Sequence, residues 1–160
     1  MKKLNQIQYV NSIVLMINEY IIRLIDDSIH NSKVKGGTSY LRHISYHISL
    51  KPETYSIKLI TLEKYLKLMG LSFDDLLCEL FSECKVSLKR PLCDFKNTDL
   101  LPLLKDIPDE SKLRYRIQAN APKNSPLSLV YLCEASYITG KMIPEILYEI
   151  EQNISKFETN

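Results

Sequence analysis

The chain has 160 residues, 45% hydrophobic and 25% charged, with a net charge of +2. That length allows one domain or two small ones, and the composition is ordinary for a globular protein. The net charge alone marks no polyanion-binding protein, while 4 glycines, and prolines confined to the gaps between periodic segments, favour a mostly helical fold over a sheet.

The first periodic stretch covers residues 7–29. Val10, Ile13, Val14, Ile17, Tyr20, Ile21, Leu24 and Ile25 recur at helical spacing, so one apolar stripe forms along a helix. Its length suggests a break near Asn18. The polar run HNSKVKGGT (30–38) reads as a loop, because Gly36-Gly37 extends a helix only at a cost. Thr38 or Ser39 is placed to cap a helix carrying Tyr40, Leu41, Ile44 and Ile48. A loop with Pro52 follows.

The segment IKLITLEKYLKLMGLSFDDLL (57–77) is the most informative of the chain. Leu59, Leu62, Tyr65, Leu66 and Met69 share one helical face, and Gly70 stops that helix as a left-handed cap. Ser72 then caps a new helix, with Asp75 three residues on as the reciprocal partner. The spacing therefore predicts a compact helical hairpin.

Residues 85–99, KVSLKRPLCDFKNTD, lose periodicity and mark the expected domain boundary. The first domain is expected over 1–85 and a smaller helical domain over 97–158. In the second half, a short apolar run covers 100–104, Ser111 starts a helix through Leu113 and Ile117, and 121–126 is a loop with two prolines. The last helices cover 127–135 and 143–157, separated by Thr139-Gly140. TLEKYLKLMGLS (61–72) lies over SLVYLCEASYIT at an offset of 67. FDDLL then lies over IPEIL after a three-residue insertion, and SYLRHI (39–44) loosely parallels SKLRYRI (111–117).

Charge is unevenly spread. Lys33, Lys35, Arg42, Lys51 and Lys58 face one acid between residues 30 and 58, and Lys112, Arg114, Arg116 and Lys123 face none between 111 and 133. Each island carries +4 on a background of −6. Two such islands suit anion-binding surfaces, or two solvated loops.

SYLRHI followed by IKLITLEKYLKLMGLSFDDLL resembles the lambda-repressor-like helix-turn-helix family, the Cro/CI or XRE type. The resemblance covers about 50 residues, and TLEKYLKLMGLSFDDLL matches the pair of helices that closes that domain. It implies an all-α protein with a helix-turn-helix-like N-terminal domain whose recognition helix has Ser39–Ile44 as its core. It also implies that Lys33, Lys35, Thr38, Ser39, Arg42, His43 and Lys51 contact double-stranded DNA, with Arg42 the natural guanine reader. Lys112, Arg114 and Arg116 would form a second DNA-binding set, if the second half is a degenerate copy rather than a dimerisation module. The chain departs from the family pattern ahead of this helix. No glutamine enters the preceding helix, and the turn is long and carries two glycines.

Two functions stay open. One is a sequence-specific transcriptional regulator, of the kind found on phages and mobile elements, acting on DNA as a monomer or homodimer. The other is a protein-binding inhibitor or antirepressor built on a degenerate helix-turn-helix scaffold. No enzyme constellation stands out. His43 and His47 share a spacing that suits zinc, but without an intervening glutamate or a third ligand, so no metal centre or cofactor is expected. Cys78 and Cys133 sit on apolar helix faces and are expected to be buried, whereas Cys84 and Cys93 lie nearer the linker. The absence of C-x-x-C pairs, signal peptide and membrane span suits a cytoplasmic protein.

Overall fold

The computed structural model describes residues 5–31, 38–81, 87–108, 111–123 and 125–159. The fold is all-α. The described residues form eight α-helices in order: α1 (Gln6–His30), α2 (Thr38–Leu50), α3 (Leu59–Leu68), α4 (Phe73–Leu80), α5 (Leu101–Leu104), α6 (Leu113–Ala119), α7 (Leu129–Thr139) and α8 (Ile143–Thr159). Short 3-10 turns cover Leu92–Asp94, Asn97–Leu100 and Ala121–Lys123. Among the described residues extended pairing is limited to one antiparallel bridge, between Lys96 and Pro126.

α1 runs unbroken through Asn18, so the expected break is corrected. An Asn5–Gln8 capping box starts the helix, and Val10, Ile13, Val14, Ile17, Asn18, Ile21, Ile25 and Ser28 are buried along it. Asn18 is fully buried, yet its side chain does not disturb the helix. Its amide instead donates to the carbonyls of Pro52 (2.9 Å) and Tyr55 (2.6 Å), fixing the α2–α3 loop against the middle of α1. Nearer its start, α1 packs on α7, where Tyr9 Oη meets Ser136 Oγ at 2.7 Å and the Tyr9 and Tyr137 rings lie 5.5 Å apart. α1 also packs on α2. The buried side chains form one cluster that runs through both halves of the chain.

The helical hairpin forms as its signals predict. Gly70 has φ +75°, the left-handed region that an L side chain enters only under strain. Leu71 N–H reaches Leu66 O and Gly70 N–H reaches Lys67 O, the paired bonds of a Schellman cap. Ser72 and Asp75 exchange both bonds of a capping box. The second half repeats this plan in a register that corrects the expected one. Leu59, Leu62, Gly70, Phe73, Leu76 and Leu77 correspond to Leu129, Leu132, Gly140, Ile143, Ile146 and Leu147 at a constant shift of 70, with no insertion. Both glycines have positive φ, and every other residue named is buried. Pro52 and Pro122, and the buried Ile57 and Leu127, keep the same shift.

The non-periodic connector is held by side chains rather than by a ladder of its own. Leu88 N–H donates to Asp74 of α4 (3.1 Å), and Leu92 N–H to Glu63 of α3 (3.2 Å). Lys89 and Arg90 N–H both donate to Glu151 Oε2 of α8, at 2.9 and 2.8 Å. Glu151 is 3% exposed, a buried carboxylate matched to two amide donors. The Arg90 guanidinium pairs with Glu158 on the surface. The hydrogen bond from this guanidinium, helped by its charge, lowers the Glu158 carboxyl from its ordinary value. Leu92 and Phe95 then bury their side chains in the core.

Removing the buried acceptor should cost far more than removing the surface one. Glu151→Ala is expected to destabilise the chain by about 2–4 kcal/mol, because two amides lose a charged partner. Glu158→Ala should change stability little, since solvent screens an exposed pair. Urea unfolding of the two variants checks the contrast.

Candidate nucleic-acid interface

α2 has a buried side and an open side. Leu41, Ile44 and Ile48 are buried, and their three-four spacing leaves Ser39, Tyr40, Arg42, His43, Tyr46, Ser49 and Leu50 facing solvent. Thr38 and Ser39 lie inside the first turn of the helix rather than ahead of it, which corrects their expected capping role. Arg42 is exposed and makes no ion pair among the described residues. It borders a shallow depression shared with Asp26, Asp27 and His30 at the end of α1, so acidic side chains flank the expected base reader. Lys51 is exposed just past α2, where its carbonyl accepts the Thr54 and Tyr55 amides and turns the chain back. Lys33 and Lys35 lie outside the described residues.

The open face also holds tyrosines of the first basic island, a residue type that suits nucleic acid or a partner interface. Tyr40 and Tyr46 are 67% and 60% exposed, and they extend the Arg42–His43 patch with aromatic surface. Both lie off the stripe of buried 41, 44 and 48, as helical spacing requires of an outer face. Tyr55 stacks on His47 with rings 15° from parallel and 6.4 Å apart. The loop that Asn18 secures thereby supports the last turn of α2.

The second basic set is arranged differently. α6 is short and starts after Lys112, which is exposed and takes φ +59°. Arg114 is exposed. Arg116 is half-buried, bonded to Glu134 at 3.2 Å and set over the Tyr131 ring at 5.6 Å. Of the three, Arg116 is thus engaged by α7, while Lys112 and Arg114 face solvent. The α2 and α6 sets lie on separate helices, each ahead of its own helix–glycine–helix pair.

Elsewhere the chemistry is sparse. Among the described residues no group of three or more His, Cys, Asp or Glu side chains is placed to hold a metal ion. A cleft beside the start of α1 is lined by Ile7, Val10, Ser111, Val130 and Glu134, among others, far in sequence from α2. Among the described residues no helix is long and apolar enough to cross a membrane. Cys133 is buried as expected, and burial pushes its thiol up to about 12. Cys78 is exposed, a correction: it sits on the outer side of α4, opposite the buried Phe73, Leu76 and Leu77. Cys93 is exposed, and Cys84 lies outside the described residues.

No protein-family model, curated protein or solved structure matches the chain.

Thiol labelling checks this burial pattern. In a Cys84→Ser variant, a neutral disulfide reagent at pH 8 should modify Cys78 and Cys93 promptly. It should reach Cys133 only after denaturant is added, because a buried thiol with a raised pKa is inert. Prompt labelling of Cys133 in the folded chain would contradict the packing of α7.

Proposed function

We propose that the chain binds double-stranded DNA sequence-specifically, as a cytoplasmic transcriptional regulator, with α2 as the reading helix. The observation that carries this reading is the repeated placement of a basic helix ahead of each helix–glycine–helix pair. Ser39-Tyr40-Leu41-Arg42 parallels Ser111-Lys112-Leu113-Arg114. Leu41 and Leu113 are fully buried, and Arg42 and Arg114 are exposed. An arginine held out from a rigid helix by a buried leucine beside it suits bidentate hydrogen bonding to the O6 and N7 edge of guanine. Ser39 and Tyr46 offer hydroxyl donors on the same face, and Lys51 a phosphate contact at its end. The Lys33 and Lys35 charges would add salt-dependent affinity from the preceding loop.

A specific observation favours a second reading, that of a protein-binding inhibitor or antirepressor. Asp26 and Asp27 beside Arg42 oppose a polyanion, and exposed Tyr40, Tyr46 and Leu50 are the residue types of a protein interface. Two acids do not outweigh a helix that holds Arg42 exposed and without an ion pair among the described residues, and DNA is therefore the first reading.

Fluorescence anisotropy against random and then selected duplexes tests it. Arg42→Ala should weaken a preferred site by about 1–3 kcal/mol with the helical signal unchanged. Lys51→Ala should weaken all duplexes alike and flatten the salt dependence. Absence of duplex affinity even at low salt would reject DNA binding, and capture of a protein partner through Tyr40 and Tyr46 would then place the second reading first.

A further inference from the structure

We propose that His43 and His47 form a surface chelate for a divalent transition-metal ion of the Cu²⁺ or Ni²⁺ type. The two residues are one turn apart on the open side of α2, and their Nε2 atoms converge to 3.0 Å. The rings meet edge to face, with centroids 4.3 Å apart and planes at 78°. Two Nε2 atoms at this separation both come within bonding reach of one ion set off the line between them, once the rings turn their lone pairs from each other toward it. With metal–nitrogen bonds of about 2.05 Å, a 3.0 Å separation subtends about 94° at the ion. That angle suits adjacent positions of a square or octahedral ion.

The surroundings hold the pair in place. Tyr55 stacks on His47 and Tyr46 meets its edge at 5.7 Å, so the ring nearer the end of the helix is braced on two sides. His47 also lies in the last turn of α2, where the helix dipole favours a cation. Without metal, the short contact is an N–H···N hydrogen bond in which one ring donates from Nε2 and the other accepts. Coordination needs both Nε2 atoms free of protons, so the donor ring moves its proton to Nδ1. Water fills the remaining positions, because no third protein ligand of the His, Cys, Asp or Glu type joins the pair among the described residues. This is an open chelate, unlike a closed structural zinc site, and it stands independently of the DNA reading.

The experiment is Cu²⁺ titration of the full chain carrying Cys78→Ser, Cys84→Ser and Cys93→Ser, which leaves only the buried Cys133 thiol and so no accessible thiol to reduce the ion, followed by calorimetry and by electron paramagnetic resonance. One equivalent should bind with hyperfine coupling to two imidazole nitrogens. His43→Asn and His47→Asn should each weaken binding about a hundredfold, the scale of a lost second attachment point. His30→Asn, in the chain's other histidine, should leave it unchanged. Circular dichroism of the variants should match that of the parent, since neither side chain is part of the core. Equal affinity in the parent and either single variant, or a spectrum with one coupled nitrogen, would overturn the chelate.

Discussion

Burial of α1 against two partners is the constraint on which the rest of the molecule depends. Every turn from Val10 to Ser28 places at least one side chain in the core. The magnitudes decide what holds this helix. Its capping box contributes about 1 kcal/mol, whereas each of the six buried aliphatics from Val10 to Ile25 contributes about 1.5–3 kcal/mol. Packing, not local propensity, keeps 25 residues in one helix. Along that helix Tyr9 engages α7, Asn18 holds the α2–α3 loop, and the last turns adjoin α2. One helix therefore sets the place of the candidate reading helix and of the second basic unit together.

The connector adds a second tie between the halves. A carboxylate buried among apolar residues is unfavourable unless its oxygens are matched by donors. Glu151 accepts the adjacent amides of Lys89 and Arg90 on Oε2, so the same contact matches that oxygen with two donors and fixes an irregular backbone. The two register-matched pairs that the connector joins have then diverged at the helix ahead of each. α2 is 13 residues long with an exposed arginine that makes no ion pair among the described residues, and α6 is 7 residues long with Arg116 drawn onto Glu134. A surface that uses its cations for internal contacts has fewer to offer a ligand, which is why α2 is the stronger candidate.

Much of this was legible in the chain, and the exceptions have physical reasons. Glycine and serine punctuation located Gly70, Ser72 and Gly140, because only a left-handed cap and a side-chain oxygen meet those backbone needs. Periodicity located the long helices to within a few residues. It misjudged Asn18, since a polar residue inside an apolar stripe reads as a break until its tertiary partners, the Pro52 and Tyr55 carbonyls, are known. Cys78 was misplaced because a short helix leaves its face ambiguous. The repeat register differs from the expected one over its first part, because Thr61 lies inside a helix while Ser128 caps one. The convergence of His43 and His47 was half visible: i, i+4 spacing brings two residues to one face, but the 3.0 Å approach depends on rotamers and on the Tyr55 ring.

The central claim is that α1 and the pinned connector make both helix–glycine–helix units one cooperative body. Differential scanning calorimetry of the whole chain tests it most directly. A shared core predicts a single transition whose calorimetric enthalpy equals its van't Hoff enthalpy. Two resolved transitions, or a calorimetric enthalpy well above the van't Hoff value, would show that the halves melt separately and would contradict the account.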